Sequence, residues 1–253
     1  MRALFSFLYG VAAYLVCQAT LLYFVGFSGN LLVPKSVDVG AGAPWAEALA
    51  IDLLLLALFG IQHSLMARRS FKRWWTRVVP AAVERSTYVV ATCAVLALMF
   101  QCWVPIPQPV VWQARPGAGA ALLWSLFGLG CVLVVFSTFL INHFELFGLH
   151  QVYAQLKGRA LPEPRFRTPL LYRYVRHPLY LGLLLSLWAV PLMTAGRLLF
   201  AAGLSVYILI GVAFEERDLL QLFGDSYRRY REQVGMLIPI ARFSTRTAGK
   251  PDA

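Results

Sequence analysis

The chain has 253 residues, 59% of them hydrophobic, and a formal net charge of +11 at pH 7. A mean hydropathy of +0.63 is too high for an ordinary soluble domain, and the length is too great for a single membrane span. The basic residues fall in particular loops and not along one polar face, which argues against a nucleic-acid partner and indicates membrane topology. Composition therefore predicts an all-α, polytopic integral membrane protein in contact with lipid, with about six transmembrane helices.

Three apolar stretches in the first half of the chain are long enough to span a bilayer, at residues 4–25, 45–66 and 86–104. The first is longer than the apolar core of a signal peptide, so we expect it to be retained as a span. The loop between the second and third spans is strongly basic and contains Trp74 and Trp75, a pattern typical of an interfacial helix on the cytoplasmic side. The proline-rich loop after the third span carries little charge and is predicted to face outward.

A fourth span is predicted at residues 120–141 and leads into a second basic loop, so cytoplasmic and outer loops alternate and both termini are expected in the cytoplasm. Residues 179–214 are apolar apart from a polar break at 193–197, which predicts a helical hairpin with two arms of about 16 residues each. Arms of this length either cross the bilayer with help from local thinning or stop partway, and both outcomes remain open.

The segment after the hairpin predicts an amphipathic helix. From Leu219 to Val234, apolar side chains recur at helical spacing with arginines opposite, and Gly224 with Asp225 interrupts the pattern. Residues 245–253 are expected to form a flexible tail. We expect one membrane domain over residues 1–253, in which 1–118 hold the first three spans and 119–240 hold the fourth span, the hairpin and the C-terminal helix.

The cysteines give no sign of a disulfide framework or of a metal site. Cys17, Cys93, Cys102 and Cys131 are scattered, mostly within apolar runs, without Cys-x-x-Cys spacing or a neighbouring histidine pattern. We expect them to be reduced, buried and inert, and we expect no bound metal.

Two charged clusters carry the candidate chemistry, Arg176-His177-Pro178 before the hairpin and Glu215-Glu216 after it. Because a hairpin returns the chain to the side it left, the clusters should meet at one membrane face. The free amides of a helix that starts at Pro178 would form an anion site with the basic pair, and the carboxylates would oppose it. A zwitterionic methyl donor such as S-adenosylmethionine suits both charges. The alternative is that the basic residues snorkel at the interface and the glutamates merely end a transmembrane helix.

The motif around Arg176 is similar to that of a known superfamily. The pattern comprises Thr168, Tyr172, Val175, Arg176, His177, Pro178, Tyr180 and Gly182, followed by Glu215, Glu216, Tyr227 and Tyr230. It resembles the signature of the isoprenylcysteine carboxyl methyltransferase and phospholipid methyltransferase superfamily, whose members are integral-membrane enzymes that use S-adenosylmethionine. Leu170 departs from this signature, because glycine is common at its position. The difference predicts that the turn before the motif has another conformation.

The resemblance implies a set of cofactor contacts. They are Arg176, His177, Pro178, Tyr180, Gly182, Glu215 and Glu216. We add Gln151, just before the second basic loop, as a further amide contact. Gly182 has an alternative role in helix packing, which is as common for a glycine in a transmembrane hairpin.

Three further stretches, at residues 62–68, 84–89 and 142–148, narrow the resemblance to the bacterial methanethiol S-methyltransferases. This implies methyl transfer from S-adenosylmethionine to methanethiol, with dimethyl sulfide as product, at the cytosolic face of a bacterial inner membrane. One alternative is methylation of a lipid amine or a prenylcysteine carboxylate. The other is a non-enzymatic membrane protein, because related proteins from denitrification gene neighbourhoods share parts of the pattern.

A small apolar thiol would partition into hydrocarbon and would be largely protonated at neutral pH, so a base should assist it. His143, Phe147 and His150 follow one another at spacings of four and three, which predicts one shared helical face. We therefore name His143 or His150 as candidate bases, with Glu145 orienting the imidazole, and His63 as the next candidate. The alternative for each is a polar residue satisfied at the interface.

Overall fold

The computed structural model describes residues 1–163 and 165–239 as a bundle of helices. In chain order the elements are α1 (Arg2–Gly29), α2 (Trp45–Ala67), α3 (Arg69–Trp75), α4 (Ala81–Cys102), β1 (Val110–Gln113), α5 (Ala118–Ile141), α6 (His143–Leu146), α7 (Leu149–Leu156), a 3-10 helix (Leu170–Arg173), α8 (Pro178–Trp188), β2 (Leu192–Thr194), α9 (Ala195–Phe223) and α10 (Asp225–Gln233). Within the described residues, five helices, α1, α2, α4, α5 and α9, are 22 to 29 residues long and apolar enough to cross a bilayer. The chain is an integral membrane protein, and the predicted all-α architecture is confirmed apart from two short strands.

Contacts between helix ends show which loops lie together. Tyr9 near the start of α1 donates a hydrogen bond of 3.2 Å to Thr87 near the start of α4. Arg68, just after α2, lies 3.9 Å from the centre of the Phe214 ring in α9. The two basic loops therefore share one end of the bundle, which we call the basic end and which includes Arg68 and Arg176. The loops alternate between the two ends, as predicted.

The two arms of the hairpin are unequal, although the sequence predicted two arms of about 16 residues. The first arm, α8, has 11 residues, whereas α9 has 29 and continues through Glu215 and Glu216 to Phe223. Glutamate is a good helix former, so a helix does not have to end where it leaves the apolar layer. α9 stops at Gly224, whose φ of 54° favours glycine. The predicted topology is right and the predicted arm lengths are wrong.

The polar break between the arms is a short strand. β2 pairs antiparallel with β1, which comes from the proline-rich loop before α5. Thr194 then caps α9, because its hydroxyl accepts a hydrogen bond of 3.1 Å from the backbone N of Arg197. The proline-rich loop and the polar break between the arms were both predicted to lie away from the basic end. They pair with each other at the opposite end of the bundle.

α8 is held by a close backbone crossing with α5. A Cβ added to Gly182 would lie 2.7 Å from the carbonyl O of Gly130, and one added to Gly130 would lie 2.6 Å from the carbonyl O of Gly182. Small residues at such a crossing let two helices approach within van der Waals contact. The structure therefore gives Gly182 the packing role, and the neighbouring helix fills the space on its Cα side.

The cysteines follow the prediction with one exception. Cys17 and Cys93 are buried, Cys131 is half-buried, and none of the four forms a disulfide within the described residues. Cys102 is exposed, contrary to the prediction, because it is the last residue of α4 at the edge of the bundle.

The C-terminal segment folds back onto the basic motif. Beyond α10, Gly235 forms a parallel bridge with Val175, and the carbonyl oxygens of Gly235 and Met236 accept hydrogen bonds of 2.9 and 3.1 Å from the two backbone N–H groups that precede Pro178. This pairing fixes the chain just before α8 against the segment that follows α10. The predicted flexible tail, residues 245–253, lies outside the described residues.

Candidate active site

Arg176 and Glu216 form an ion pair at the basic end of the bundle. The Nε atom of Arg176 lies 2.7 Å from Oε1 of Glu216, and the two side chains are 9% and 13% exposed. Nη1 of the same arginine donates to the carbonyl oxygens of Arg231 and Val234, at 3.0 and 2.6 Å. The folded-back C-terminal segment therefore holds the guanidinium in place, and the predicted meeting of the two charged clusters occurs at one face.

Glu216 is the centre of a larger group, which we call the ionic cluster and define as Arg176, His177, Glu216 and Tyr227. The buried His177 caps α8, and its Nε2 atom lies 3.2 Å from Oε1 of Glu216. The hydroxyl of Tyr227 donates to the same oxygen over 3.4 Å. Three donors thus converge on one carboxylate oxygen, which stabilises its negative charge.

Glu215 has a different position from its neighbour, although the sequence predicted a joint role. Its side chain is 41% exposed, and its closest basic partner is Nδ1 of His177 at 3.9 Å. Adjacent residues in a helix point about 100° apart, so Glu216 faces the ionic cluster while Glu215 faces Tyr172 and Tyr180. Only one of the two carboxylates is committed to the ion pair.

The buried Tyr227 and two half-buried tyrosines close the ionic cluster on the C-terminal side. Tyr230 donates a hydrogen bond of 2.5 Å to the carbonyl O of Tyr172. Burial raises the pKa of Tyr230 to about 12, and burial also raises the pKa of Tyr227 and of Tyr172 above the ordinary value of tyrosine. All three phenols therefore remain neutral hydrogen-bond donors at physiological pH.

A cavity of about 350 Å³ opens beside the ionic cluster. Its lining residues are Arg176, Glu216, Arg231, Glu232 and Met236. The volume lies within the range of about 300–1,000 Å³ that is usual for small-molecule sites, and the lining offers both signs of charge beside one apolar side chain. Such a lining can bind a small zwitterion. Arg231, Glu232 and Met236 were not predicted; the arginine-rich face after Gly224 was their only signal in the sequence.

His143 is fully occupied by protein contacts. Its Nε2 atom lies 2.9 Å from the hydroxyl of Tyr14, and its Nδ1 atom lies 2.8 Å from the hydroxyl of Thr138. Its ring stacks on Phe139 with a centroid distance of 4.0 Å. Burial lowers the pKa of His143, which keeps the imidazole neutral. These contacts favour the alternative of a polar residue satisfied at the interface.

The predicted shared face holds for His143 and Phe147, whose ring centroids lie 4.9 Å apart, but it does not extend to His150. α6 ends before Phe147, and Gly148 adopts a φ of 88°, so the chain turns before α7 begins. Nδ1 of His150 lies 3.8 Å from Oε2 of Glu145. The two predicted partners thus meet across the turn and not along one helix.

Gln151 belongs to this turn and not to the ionic cluster. Its Nε2 atom donates a hydrogen bond of 3.0 Å to the carbonyl O of Glu145. It also lines a separate cavity of about 310 Å³ between the start of α4 and α7, together with Arg159. A contact between Gln151 and a ligand held by Glu216 therefore stays a prediction.

His63 lies inside the bundle, between α2 and α4. Its Nε2 atom is 2.7 Å from the hydroxyl of Tyr88, and its Nδ1 atom is 3.2 Å from the hydroxyl of Thr92. Tyr180, at the start of α8, faces the same region from the other side and also faces Glu215. The stretch around Tyr88 was noted in the sequence because it resembles the methyltransferase family. The spacing of Tyr88 from His63 along the chain did not predict that the two side chains touch.

The chain matches known proteins over most of its length. The NnrU protein family matches residues 53–241. Methanethiol S-methyltransferase 1 of Bradyrhizobium diazoefficiens is 54% identical over 237 residues, which cover 94% of this chain and 83% of the relative. Methanethiol S-methyltransferase of Mycobacterium tuberculosis is 50% identical over 239 residues, with coverage of 94% and 98%. Human nurim is 35% identical over 241 residues, with coverage of 87% and 91%. No solved structure matches.

Proposed function

Because this chain belongs to the NnrU protein family, together with the bacterial methanethiol S-methyltransferases, we propose that it methylates methanethiol with S-adenosylmethionine and releases dimethyl sulfide. At this level of identity over nearly the whole chain, the protein is a methyltransferase. The observation that supports a methyl-donor site in this chain is the cavity of about 350 Å³ between the ionic cluster and α10.

The residues at this cavity fit S-adenosylmethionine, which supplies a methyl group on a positively charged sulfur and also carries a carboxylate, an ammonium and ribose hydroxyls. Arg231 presents a guanidinium to the cavity and is 4.0 Å from Oε2 of Glu216, so it has donors left for a carboxylate. The carboxylates of Glu216 and Glu232 line the same space and would accept from an ammonium or from hydroxyls. Glu215, which is 41% exposed, would add a third negative charge.

The remaining predicted contacts have different support. His177 and Pro178 lie at the start of α8 beside the ionic cluster, so they would shape the site from within the protein. Tyr180 faces Glu215 and would bound the site on the membrane side. Gly182 would act through its packing against α5.

The basic end is proposed to face the cytosol of a bacterial cell, with the protein in the inner membrane and both termini in the cytoplasm. Arginines and lysines concentrate in the loops of this end, and such loops remain on the cytoplasmic side. A charged methyl donor would then reach the cavity from water. A small apolar thiol would arrive from the hydrocarbon, in which it dissolves readily.

The two alternatives are less well supported. Methylation of a lipid amine or a prenylcysteine carboxylate needs a site that accepts a long chain, whereas the relatives of 50–54% identity are named for methanethiol. A non-catalytic role would require the charged clusters to close on each other without a cavity. The ion pair does form, but the cavity borders it.

Activity is tested with the purified full-length protein in detergent or vesicles, supplied with S-adenosylmethionine and methanethiol. Gas chromatography of the headspace should detect dimethyl sulfide, and the variants Glu215→Gln and His177→Ala should produce less. Glu47→Gln is the matched control, because Glu47 is exposed near the start of α2, at the other end of the bundle.

Calorimetric titration with S-adenosylhomocysteine separates the possible failures. Folded protein that binds S-adenosylhomocysteine but releases no dimethyl sulfide has a different methyl acceptor. Folded protein that does neither supports the non-catalytic alternative.

A further inference from the structure

The proposed reaction needs an acceptor for the thiol proton, and the ionic cluster does not provide one. The imidazole Nε2 of His177 and the Nε of Arg176 both lie against Oε1 of Glu216, at 3.2 and 2.7 Å, so both groups are engaged with that carboxylate. An alkanethiol has a pKa near or above the cysteine reference of about 8.5 and is mostly protonated at neutral pH. A positioned base therefore has a large effect on the rate of such a transfer.

Thr92, His63 and Tyr88 form a hydrogen-bonded chain, and its donor directions follow from the single hydrogen of the Thr92 hydroxyl. The Thr92 hydroxyl donates to the carbonyl O of Tyr88 over 3.0 Å, so its hydrogen is used. Toward Nδ1 of His63, at 3.2 Å, this hydroxyl can only accept, which places the imidazole proton on Nδ1. Nε2 then carries a lone pair and accepts from the Tyr88 hydroxyl at 2.7 Å. Tyr88 is a phenol whose proton already points at a neutral base.

Aromatic rings beside His63 partly offset the cost of a positive charge on its imidazole. The ring of Phe59 stacks on the imidazole with a centroid distance of 5.4 Å, and the ring of Tyr207 from α9 lies edge-on at 6.0 Å. A cation against an aromatic face is stabilised by about 0.5–2 kcal/mol, more where water is excluded. Burial and the nearby Arg85 guanidinium oppose a positive charge here, so an imidazolium would be short-lived and would pass its proton on.

Charged and titratable groups face Tyr88 from three helices. From α4 come Glu84 and Arg85, whose guanidinium lies 4.9 Å from the centre of the Tyr88 ring and also donates to the carbonyl O of Leu146 over 2.7 Å. From α9 comes Tyr207, and from α8 comes Tyr180, which faces Tyr88 on one side and Glu215 on the other. The Tyr180 ring also lies 5.7 Å from that of His177. Tyr180 therefore contacts His177 of the ionic cluster from within the bundle.

A small apolar cluster packs against the same phenol. Its members are Cys17, Val89 and Cys93, with Met66 and Phe147 at its edge. These side chains are apolar and polarizable, which suits a methyl group and a neutral sulfur better than a charged or long-chain substrate. Tyr88 thus combines a hydroxyl directed at a base with packed apolar neighbours that suit a short thiol.

We propose that Tyr88 is the catalytic residue that contacts the thiol, and that His63 is a positioning residue that receives the thiol proton through Tyr88; this inference rests on the proposed function. The thiol sulfur forms a bond to the donated methyl carbon, and the bond from that carbon to the sulfonium sulfur breaks with its electron pair left on that sulfur. As the thiol proton moves to the Tyr88 oxygen, the original phenol proton moves to Nε2 of His63. The products are a neutral thioether, a neutral S-adenosylhomocysteine and an imidazolium that later loses its proton.

The test compares Tyr88→Phe and His63→Gln with the wild type in the full-length protein, using acceptors that differ in acidity. With methanethiol at about pH 7, kcat/KM should fall by roughly 100-fold in both variants, the usual effect of losing a general base. At about pH 9.5 the loss should shrink below about tenfold, because more of the thiol is already ionised. With methaneselenol, which is ionised at neutral pH, the variants should lie within about threefold of wild type.

Tyr23→Phe is the matched control, because Tyr23 is a half-buried phenol in α1 that donates to the carbonyl O of Lys35 over 3.2 Å at the opposite end of the bundle. Its kinetics should equal those of the wild type with both acceptors. Titration with S-adenosylhomocysteine should give the same affinity for all four proteins, which shows that the fold and the donor site are intact.

Two results would overturn the inference while leaving the proposed function in place. One is an equal loss of rate at every pH and with both acceptors, which indicates a structural role. The other needs no variant: a wild-type kcat/KM that rises tenfold per pH unit with the thiolate fraction shows that the protein provides no base. If the wild type forms no dimethyl sulfide at all, the proposed function and this inference fail together.

Discussion

α9 carries an arginine–carboxylate pair at each of its ends, and the pair at its start uses nearly all of its hydrogen-bonding atoms. Arg197 donates from Nε and Nη2 to Oδ2 of Asp38 at 2.9 and 2.7 Å, and from Nη1 to the carbonyl O of Ser28 at 2.6 Å. Oδ1 of Asp38 accepts from Thr194 at 2.5 Å, and the two charged side chains are 4% and 9% exposed. We call this group the Arg197 clasp. It joins the loop after α1 to the start of α9, and every nitrogen of the guanidinium and both carboxylate oxygens already have a protein partner.

The ionic cluster at the other end is less complete. Three donors use Oε1 of Glu216, whereas the contact found for Oε2 among the described residues is a longer one, with Nη1 of Arg231 at 4.0 Å. A cavity borders this carboxylate, and an exposed Glu215 lies next to it. The comparison shows that a buried ion pair is not by itself a sign of a binding site. Unused hydrogen-bonding capacity beside an open space is the sign.

Breaking the Arg197 clasp should have the largest effect. Arg197→Ala leaves the Asp38 carboxylate buried without its partner, which costs about 3–5 kcal/mol of unfolding free energy. Equilibrium unfolding in detergent, followed by circular dichroism, measures this loss. Arg115→Ala is the matched control, because Arg115 is exposed at the same end of the bundle, and it should change the unfolding free energy by less than about 0.5 kcal/mol. If Arg197→Ala were as stable as Arg115→Ala, the pair at the start of α9 would not be the structural contact that distinguishes it from the ionic cluster.

Glu216→Gln should mainly affect ligand binding. The amide keeps the shape of the side chain but removes the negative charge that Arg176, His177 and Tyr227 contact. A hydrogen bond to a charged group contributes about 1.5–3 kcal/mol, so the affinity for S-adenosylhomocysteine should fall about 100-fold. Calorimetric titration measures it, with Glu47→Gln as the control. An unchanged affinity would place the donor site elsewhere on the protein.

Glu215→Gln should have a smaller effect of the same kind. The side chain is 41% exposed, so solvent screens its charge, and the affinity for S-adenosylhomocysteine should fall about tenfold without a change in unfolding free energy. The same titration, combined with a melting curve, checks both parts. A loss of stability in place of affinity would show that Glu215 belongs to the packing of α9.

The smallest effect is a pH dependence of the C-terminal closure. Burial raises the pKa of Tyr230 to about 12 from an ordinary 10.0, so between these values the folded protein keeps a proton that the unfolded chain releases. The contribution of Tyr230 is therefore complete below pH 10 and declines as the pH rises toward 12. A rise of the pKa from 10.0 to about 12 corresponds to about 2.7 kcal/mol at most, and solvent screening of this half-buried side chain reduces it to about 1 kcal/mol. Tyr230→Phe should flatten this part of the unfolding curve, whereas Tyr174→Phe, at a tyrosine that is 67% exposed, should not. Equal curves for the two variants would contradict the prediction.

Much of the fold follows from local pattern. The five long spans were predictable because each is a continuous apolar run, and lipid selects helices for such runs whatever their neighbours are. The interruption at Gly224 was also predictable, because glycine is the residue that adopts a positive φ at low cost. The meeting of Arg176 with the glutamates required only that the hairpin return to its starting face.

The candidate site was predicted less well, because side-chain direction depends on packing. Glu215 and Glu216 are equivalent in the sequence, and only the orientation of α9 against α8 separates an exposed carboxylate from one that is bound by Arg176. His143 looked like a base from its residue type and spacing, but Tyr14 and Thr138 occupy both of its nitrogens. No local pattern places residues from α1 or α5 around that ring.

The sequence by itself determined that this protein crosses the membrane several times and that its positive charge lies at one end. It also determined that Arg176 and the two glutamates lie at that end. These features depend only on hydrophobicity and charge along the chain. Only the tertiary structure decided that Glu216 and not Glu215 pairs with Arg176, that Gly182 packs on α5, and that His63 reaches Tyr88. Each of these is a contact between helices distant in sequence, and its geometry depends on how the helices rotate and cross.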